Sequence, residues 1–149
     1  MFESADNLVE IKDAPLPNTG AANPTIIGDE QNLFLIYTTS DERTAVIKFE
    51  NCVIHKFGSP NDEALSGHPL YKKGLRHYSV FNVSRSSWIK DVEKMNSQHP
   101  RHYKERFLEY NHFIFTFHDS TFECIAARVK FEVHSDAAKA CLKGLIENI

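Results

Sequence analysis

Between Phe117 and Cys124 the chain reads Phe-His-Asp-Ser-Thr-Phe-Glu-Cys, which crowds an imidazole, two carboxylates, two hydroxyls and a thiol into one short stretch. A hairpin turn needs little more than Asp119-Ser120 to bend the chain. The surplus groups therefore invite a chemical reading. An imidazole beside a carboxylate has its tautomer fixed and its pKa raised, the arrangement a general base needs. His118 with Glu123 is the pair that could form it, and Asp119 offers a second carboxylate.

Whether these groups meet depends on register. The pattern predicts strands at Asn111–His118 and Phe122–Val133, joined by a turn at Ser120-Thr121 or Asp119-Ser120. Either turn puts even-numbered residues of the first strand on one face with odd-numbered residues of the second. His112, Ile114, Thr116 and His118 then accompany Glu123, Ile125, Ala127 and Val129, while Phe113, Phe115 and Phe117 accompany Phe122, Cys124 and Ala126. The phenylalanine face is core. Cys124 lies on it, opposite His118, which argues against a nucleophilic thiol, because a reactive cysteine needs partial exposure and an electropositive setting. Farther along, Val129, Phe131 and Val133 change face, so either a bulge intervenes or both faces are partly covered. The plainer account gives Asp119 and Ser120 to the turn and leaves His118–Glu123 as a cross-strand pair worth about 0.2–1 kcal/mol.

Further candidates sit in loops, which carry function more often than cores do. His68 lies in Ser66-Gly67-His68-Pro69-Leu70, where it either binds something or caps carbonyls at a helix end. Arg76 and His77 end a short basic stretch that begins at Lys72. Trp88, the sole tryptophan, opens an expected helix as a core anchor or a stacking surface. These four are the expected binding residues. No metal and no other cofactor is expected: Pro100 breaks the face that would align His99 with His102, and no Cys/His spacing resembles a zinc site.

Composition narrows the classes. A formal net charge of −3 argues against nucleic acid as a partner. Three cysteines leave an odd thiol among apolar neighbours, which suits reduced cysteines. No apolar run approaches the ~20 residues of a membrane span, and Met1–Asp6 has no basic stretch leading into an apolar core. A cytoplasmic protein is expected, with no membrane partner. Its oligomeric state is not legible.

The elements that must position the candidates are punctuated clearly. Residues 1–31, rich in Pro, Asn, Gly and Ala, read as an extended arm with a short strand near Leu8–Ile11. Strands follow at Leu33–Thr39 and Thr44–Phe57, with a bulge or break at Asn51-Cys52, and at His77–Val83. Ser59, Pro60, Asp62, Glu63 and Gly67 mark a short capped helix. Ser86 or Ser87 caps a helix from Trp88 to Ser97 with an apolar stripe of Trp88, Val92 and Met95; Lys104–Leu108 could hold another short one. Ser135 caps a last helix with Ala138, Cys141, Leu142, Leu145 and Ile149 on one face. The expected fold is α+β: residues 32–149 form a single domain, one antiparallel sheet of about five to six strands, with two main helices packed on it and a short capped helix in a loop.

Two blocks carry a resemblance: Phe57-Gly58-Ser59-Pro60-Asn61-Asp62-Glu63-Ala64-Leu65-Ser66-Gly67-His68-Pro69-Leu70, and Phe115-Thr116-Phe117-His118-Asp119-Ser120-Thr121-Phe122-Glu123-Cys124. Together they resemble a family of small uncharacterised bacterial proteins that share both blocks in this order. The resemblance implies a bacterial setting and assigns no catalytic residue. No complete catalytic constellation can be assembled from the sequence. The expected function is a non-catalytic binding or interaction module for a protein partner or small ligand, using the His68 loop and the His118–Glu123 turn. The alternative is a hydrolase-type enzyme with His118 as base, Glu123 or Asp119 orienting it, and His68 or Arg76 nearby.

Overall fold

The computed structural model describes residues 5–135. These residues form one antiparallel sheet of seven strands: β1 (Asn7–Glu10), β2 (Thr25–Gly28), β3 (Asn32–Thr38), β4 (Thr44–Gly58), β5 (Val80–Ser84), β6 (Asn111–Thr116) and β7 (Thr121–His134), in the order β1-β5-β6-β7-β4-β3-β2. Among the described residues one α-helix, α1 (Ser87–Asn96), joins three 3-10 segments at Asp62–Gly67, Tyr71–Lys73 and Lys104–Glu109.

This corrects the expected α+β layout of five to six strands under two main helices. In the Pro- and Asn-rich segment, β1 matches the short strand expected near Leu8–Ile11 and β2 is an additional one, and the two pair at opposite edges of the sheet. The expected capped helix is a 3-10 turn whose cap is Asn61, not Ser59: the Asn61 side chain accepts from the Ala64 N–H at 3.0 Å. A segment this short cannot sustain an α-helix without tertiary help, and Leu65 is its one buried residue. The helix expected after Ser135 lies outside the described residues.

The sheet is strongly coiled around the phenylalanine face. Strands β3 and β6 are separated by β7 and β4, so in a flat sheet their side chains would stand about 14 Å apart. The Tyr37 ring instead meets Phe117 at 5.2 Å and Phe115 at 6.0 Å, both edge-on. Phe49, Phe113, Phe115 and Phe122 pack in the same cluster, all buried. The chain between β1 and β2 crosses the open side of this curl. There Ala14 and Ala22 enter the core, and the Tyr37 hydroxyl donates to the Pro15 carbonyl at 2.6 Å. A small residue at each buried position lets the crossing chain lie close over the rings.

The face change expected along the last hairpin strand is real, and its cause sits in β4. Ala45, Ile47 and Phe49 face the core, then Cys52 does so. Asn51 between them has φ +53, and the β4–β7 register shifts between Cys52 and Ile54. Opposite, β7 presents Phe131 and Val129 before the break and Ala126, Cys124 and Phe122 beyond it. The extra residue kinks the strand and sharpens its twist, as bulges do.

On the convex face a second core forms under residues 59–79. Leu65, Leu70 and Leu75 pack there on Phe81, Val83 and Ile114. This loop is the layer that covers the sheet where helices were expected. Replacing Phe122 by Ala should cost about 3–5 kcal/mol, the usual penalty for emptying a buried aromatic position. Replacing Leu108, which is 84% exposed, should change stability by less than about 0.5 kcal/mol. Urea unfolding of the two variants checks the contrast.

Candidate functional site

Strand β7 holds Glu123 on the convex face, directly opposite Ile114 of β6 and Lys56 of β4. Its carboxylate is buried and held from both sides. One oxygen lies 2.8 Å from His112 Nε2 and the other 2.9 Å from His68 Nε2. His112 comes from β6, while His68 follows the first 3-10 segment, whose last turn its own N–H closes onto the Leu65 carbonyl at 2.9 Å. The Lys56 ammonium is 3.9 Å from the same carboxylate.

The hydrogen bonds around this node run in one direction. The Leu70 N–H donates to His68 Nδ1 at 3.0 Å, so the His68 proton is on Nε2 and points at Glu123. On the other side the Ile89 N–H donates to Ser86 Oγ at 3.2 Å, and Ser86 Oγ lies 2.7 Å from His112 Nδ1. The consistent assignment has Ser86 donating to His112 Nδ1 and His112 donating from Nε2 to Glu123. Burial opposes ionisation of Glu123, but the bonds from His112 and His68, with the Lys56 charge, outweigh it and hold its pKa down at about 2. A metal does not fit this set. A metal on His68 Nε2 would require a proton on Nδ1, where the Leu70 N–H already points.

Ser86, His112 and Glu123 align as a hydroxyl, an imidazole and a carboxylate, yet Ser86 is 4% exposed and its oxygen caps α1. It serves as a cap rather than a nucleophile. Over the node opens a cleft of about 320 Å³, walled by Trp88, Asp91, Ser87 and Asp6 on one side and by Pro69 and Leu70 on the other. The Trp88 ring meets His112 edge-on at 5.0 Å. Asp6 fixes the start of α1, accepting from the Ser87 N–H at 2.6 Å and the Ser87 hydroxyl at 2.9 Å.

His118 does not meet Glu123. The Phe117 N–H donates to the Ser120 carbonyl at 2.9 Å, which puts His118 and Asp119 at the hairpin tip. The turn therefore lies earlier than expected, and its parity preserves the facial assignment of β6 and β7 while lifting His118 off the face. His118 Nδ1 lies 2.6 Å from Asp62, which also accepts the Tyr78 hydroxyl at 2.5 Å. Asp119 is exposed, with its carboxylate 3.9 Å from His118 Nε2. The Asp62 hydrogen bond and charge raise the His118 pKa above 6.5. Bonds from Tyr78 and His118 lower that of Asp62.

The other expected residues divide between the cleft and the loop. His68 and Trp88 line the cleft. Arg76 instead donates to the Leu75 carbonyl at 2.8 Å and lies over the Tyr71 ring at 5.3 Å. His77 Nε2 is 2.8 Å from the Asp62 carbonyl oxygen. Cys124 is fully buried and its thiol pKa is pushed up by that burial. Sequence reasoning had placed His112 on the Glu123 face without giving it a role, and it passed over Lys56, Asp91 and Ser86 as site residues. His112's parity with Glu123 was the available signal.

Both blocks singled out in the sequence are the two sides of one contact. Asp62 meets His118, His68 meets Glu123, and the Thr121 hydroxyl donates to the Pro60 carbonyl at 2.9 Å. No family model, curated protein or solved structure matches the chain. Among the described residues no helix is long and apolar enough to cross a membrane.

Two pH effects follow. Glu123, lowered from 4.5 to about 2, contributes stability that is fully present above pH 4.5 and lost as pH falls through 2. Glu123→Gln should cost about 2–4 kcal/mol at neutral pH, because it leaves a buried histidine N–H without its charged acceptor. Its stability should also change less than that of the parent between these pH values, which denaturant melts from pH 2 to 7 would measure. For His118 the sign reverses: its raised pKa gives stability that is full below 6.5 and is lost as pH rises through the folded value. In Asp62→Asn the His118 ring should titrate closer to 6.5, as followed by NMR of its ring protons.

Proposed function

We propose that the protein is a non-catalytic binding module whose ligand site is the cleft floored by His68, His112 and Glu123 and walled by Trp88. The observation that carries this reading is the closed floor. Both carboxylate oxygens and all four ring nitrogens have protein partners. A general base needs a free lone pair and a pKa near the working pH. Glu123, held near 2, is far from that range, and each imidazole uses its Nδ1 lone pair inside the protein. Such a floor keeps its shape and leaves recognition to the mouth, where Trp88, Lys56 and Asp91 stand. A volume of about 320 Å³ suits a small solute or one side chain of a partner, at the lower end of the ~300–1,000 Å³ usual for ligand pockets.

The acid–base alternative has one observation in its favour, the Asp62–His118 pair with an imidazole 44% exposed. However, His118 is not among the residues lining the Glu123 cleft. A reaction there would use the hairpin tip alone.

An NMR titration with small cationic, anionic and neutral solutes separates the readings, following the Trp88 indole N–H and the Leu70 and Ser87 amides. The expected result is a saturable shift at these groups for at least one solute class, with the amide shifts lost in Trp88→Ala. The expected turnover of ester, phosphoester and amide substrates is nil. Shifts confined to other surfaces, or turnover that His118→Ala removes, would overturn the reading.

A further inference from the structure

The mouth of the cleft already holds a cation. The Lys56 ammonium sits 4.3 Å from the centre of the Trp88 ring and 3.9 Å from the Glu123 carboxylate. An aromatic face and a carboxylate on one ammonium are the two elements of an amine-recognition site, the ring supplying its negative face and the carboxylate its charge. Lys56 approaches from the neighbouring strand β4, and its side chain is 59% exposed. It is held by these two contacts rather than by packing, so it can swing into solvent without disturbing the sheet.

The charge balance points the same way. Asp91 and Glu123 bring carboxylates to the lining where the Lys56 ammonium stands. With Lys56 turned out, the cleft presents the Trp88 ring beside the Glu123 carboxylate. An anion would meet the opposite field.

We infer that the group this cleft takes is an alkylammonium, and that Lys56 is an internal occupant of the same position, displaced when the ligand enters. The inference rests on the binding reading above and specifies its ligand chemistry. A free amine and a lysine side chain of a partner protein share that chemistry.

Because Trp88 is the only tryptophan, its emission reports the cleft directly. The full chain and its Lys56→Ala variant are titrated with n-butylammonium, butanoate and butanol, which differ in charge at nearly constant shape. The expected result is a saturable change with butylammonium alone, and at least threefold tighter binding to Lys56→Ala, because the competing cation is gone. Nα-acetyl-lysine methylamide forms a further arm. Tighter binding than butylammonium identifies a protein lysine as the source and equal binding a free amine, and both support the inference. Butanoate or butanol binding as well as butylammonium, or Lys56→Ala binding the amine no more tightly, overturns the inference and leaves the binding module standing. Silence of Trp88 toward every probe in both proteins overturns the binding reading as well. Circular dichroism of Lys56→Ala confirms that the compared proteins share a fold.

Discussion

A carboxylate buried in the middle of a sheet is the constraint from which the convex side of this protein is built. Glu123 is 6% exposed on β7, between β6 and β4. An ionised group there would cost several kcal/mol without compensation. Compensation requires donors from outside its own strand, and the chain delivers one from each side. On the edge of the His112 ring away from Glu123, Nδ1 meets the Ser86 hydroxyl, which ties the ring to the first turn of α1. The Leu70 N–H donates to His68 Nδ1, which sets the tautomer that donates to Glu123 and ties the Gly67–Leu70 bend to it. One buried charge thus orients a helix and a loop through a single line of hydrogen bonds.

The loop between β4 and β5 is pinned twice, and the pins differ in character. At one end Asp62 meets a half-exposed His118 at the hairpin tip. At the other, His68 meets the buried Glu123. Water screens the first pair, which therefore acts mainly as a pH-sensitive latch. The second lies in low dielectric, where losing one partner strands the other. Between them Leu65, Leu70 and Leu75 seal the convex core. The cleft stands at the strongly held end, so its floor belongs to the most constrained part of the loop.

Where the sequence was readable, it was readable through parity. The alternation of Phe113, Phe115 and Phe117 against Phe122, Cys124 and Ala126 identified the concave core, because any turn of even length gives the same faces. The same alternation put His112 beside Glu123. Parity does not say where a turn ends, however, and that placed His118 on the sheet when it stands at the tip. Asp62 and His68 lie 56 and 55 residues from their partners, separations at which no local pattern carries information. The edge strand β2 was hidden by composition, whereas β1 falls where a short strand near Leu8–Ile11 was expected. Asn, Pro and Gly around Thr25–Gly28 read as irregular chain, although an edge strand four residues long needs little β propensity once β3 offers it a ladder. The last helix expected from the pattern falls outside the described residues.

The hairpin turn that looks crowded in sequence is not crowded in space. Phe117, Phe122 and Cys124 turn into the concave core, His118 and Asp119 stand at the tip, and Glu123 faces the convex side. Groups adjacent in sequence are thus dispersed to three environments, as a tight hairpin demands of alternating residues. What assembles instead is a set drawn from distant elements: β4, β6, β7, the α1 cap and the loop after Gly67. In that set the polar groups of the floor are turned toward one another, and Lys56, Trp88 and Asp91 stand at the mouth. An arrangement with its acids and bases mutually satisfied spends little of its chemistry on a substrate. It is suited to presenting a fixed shape and a fixed charge, and these are the properties on which selective binding depends.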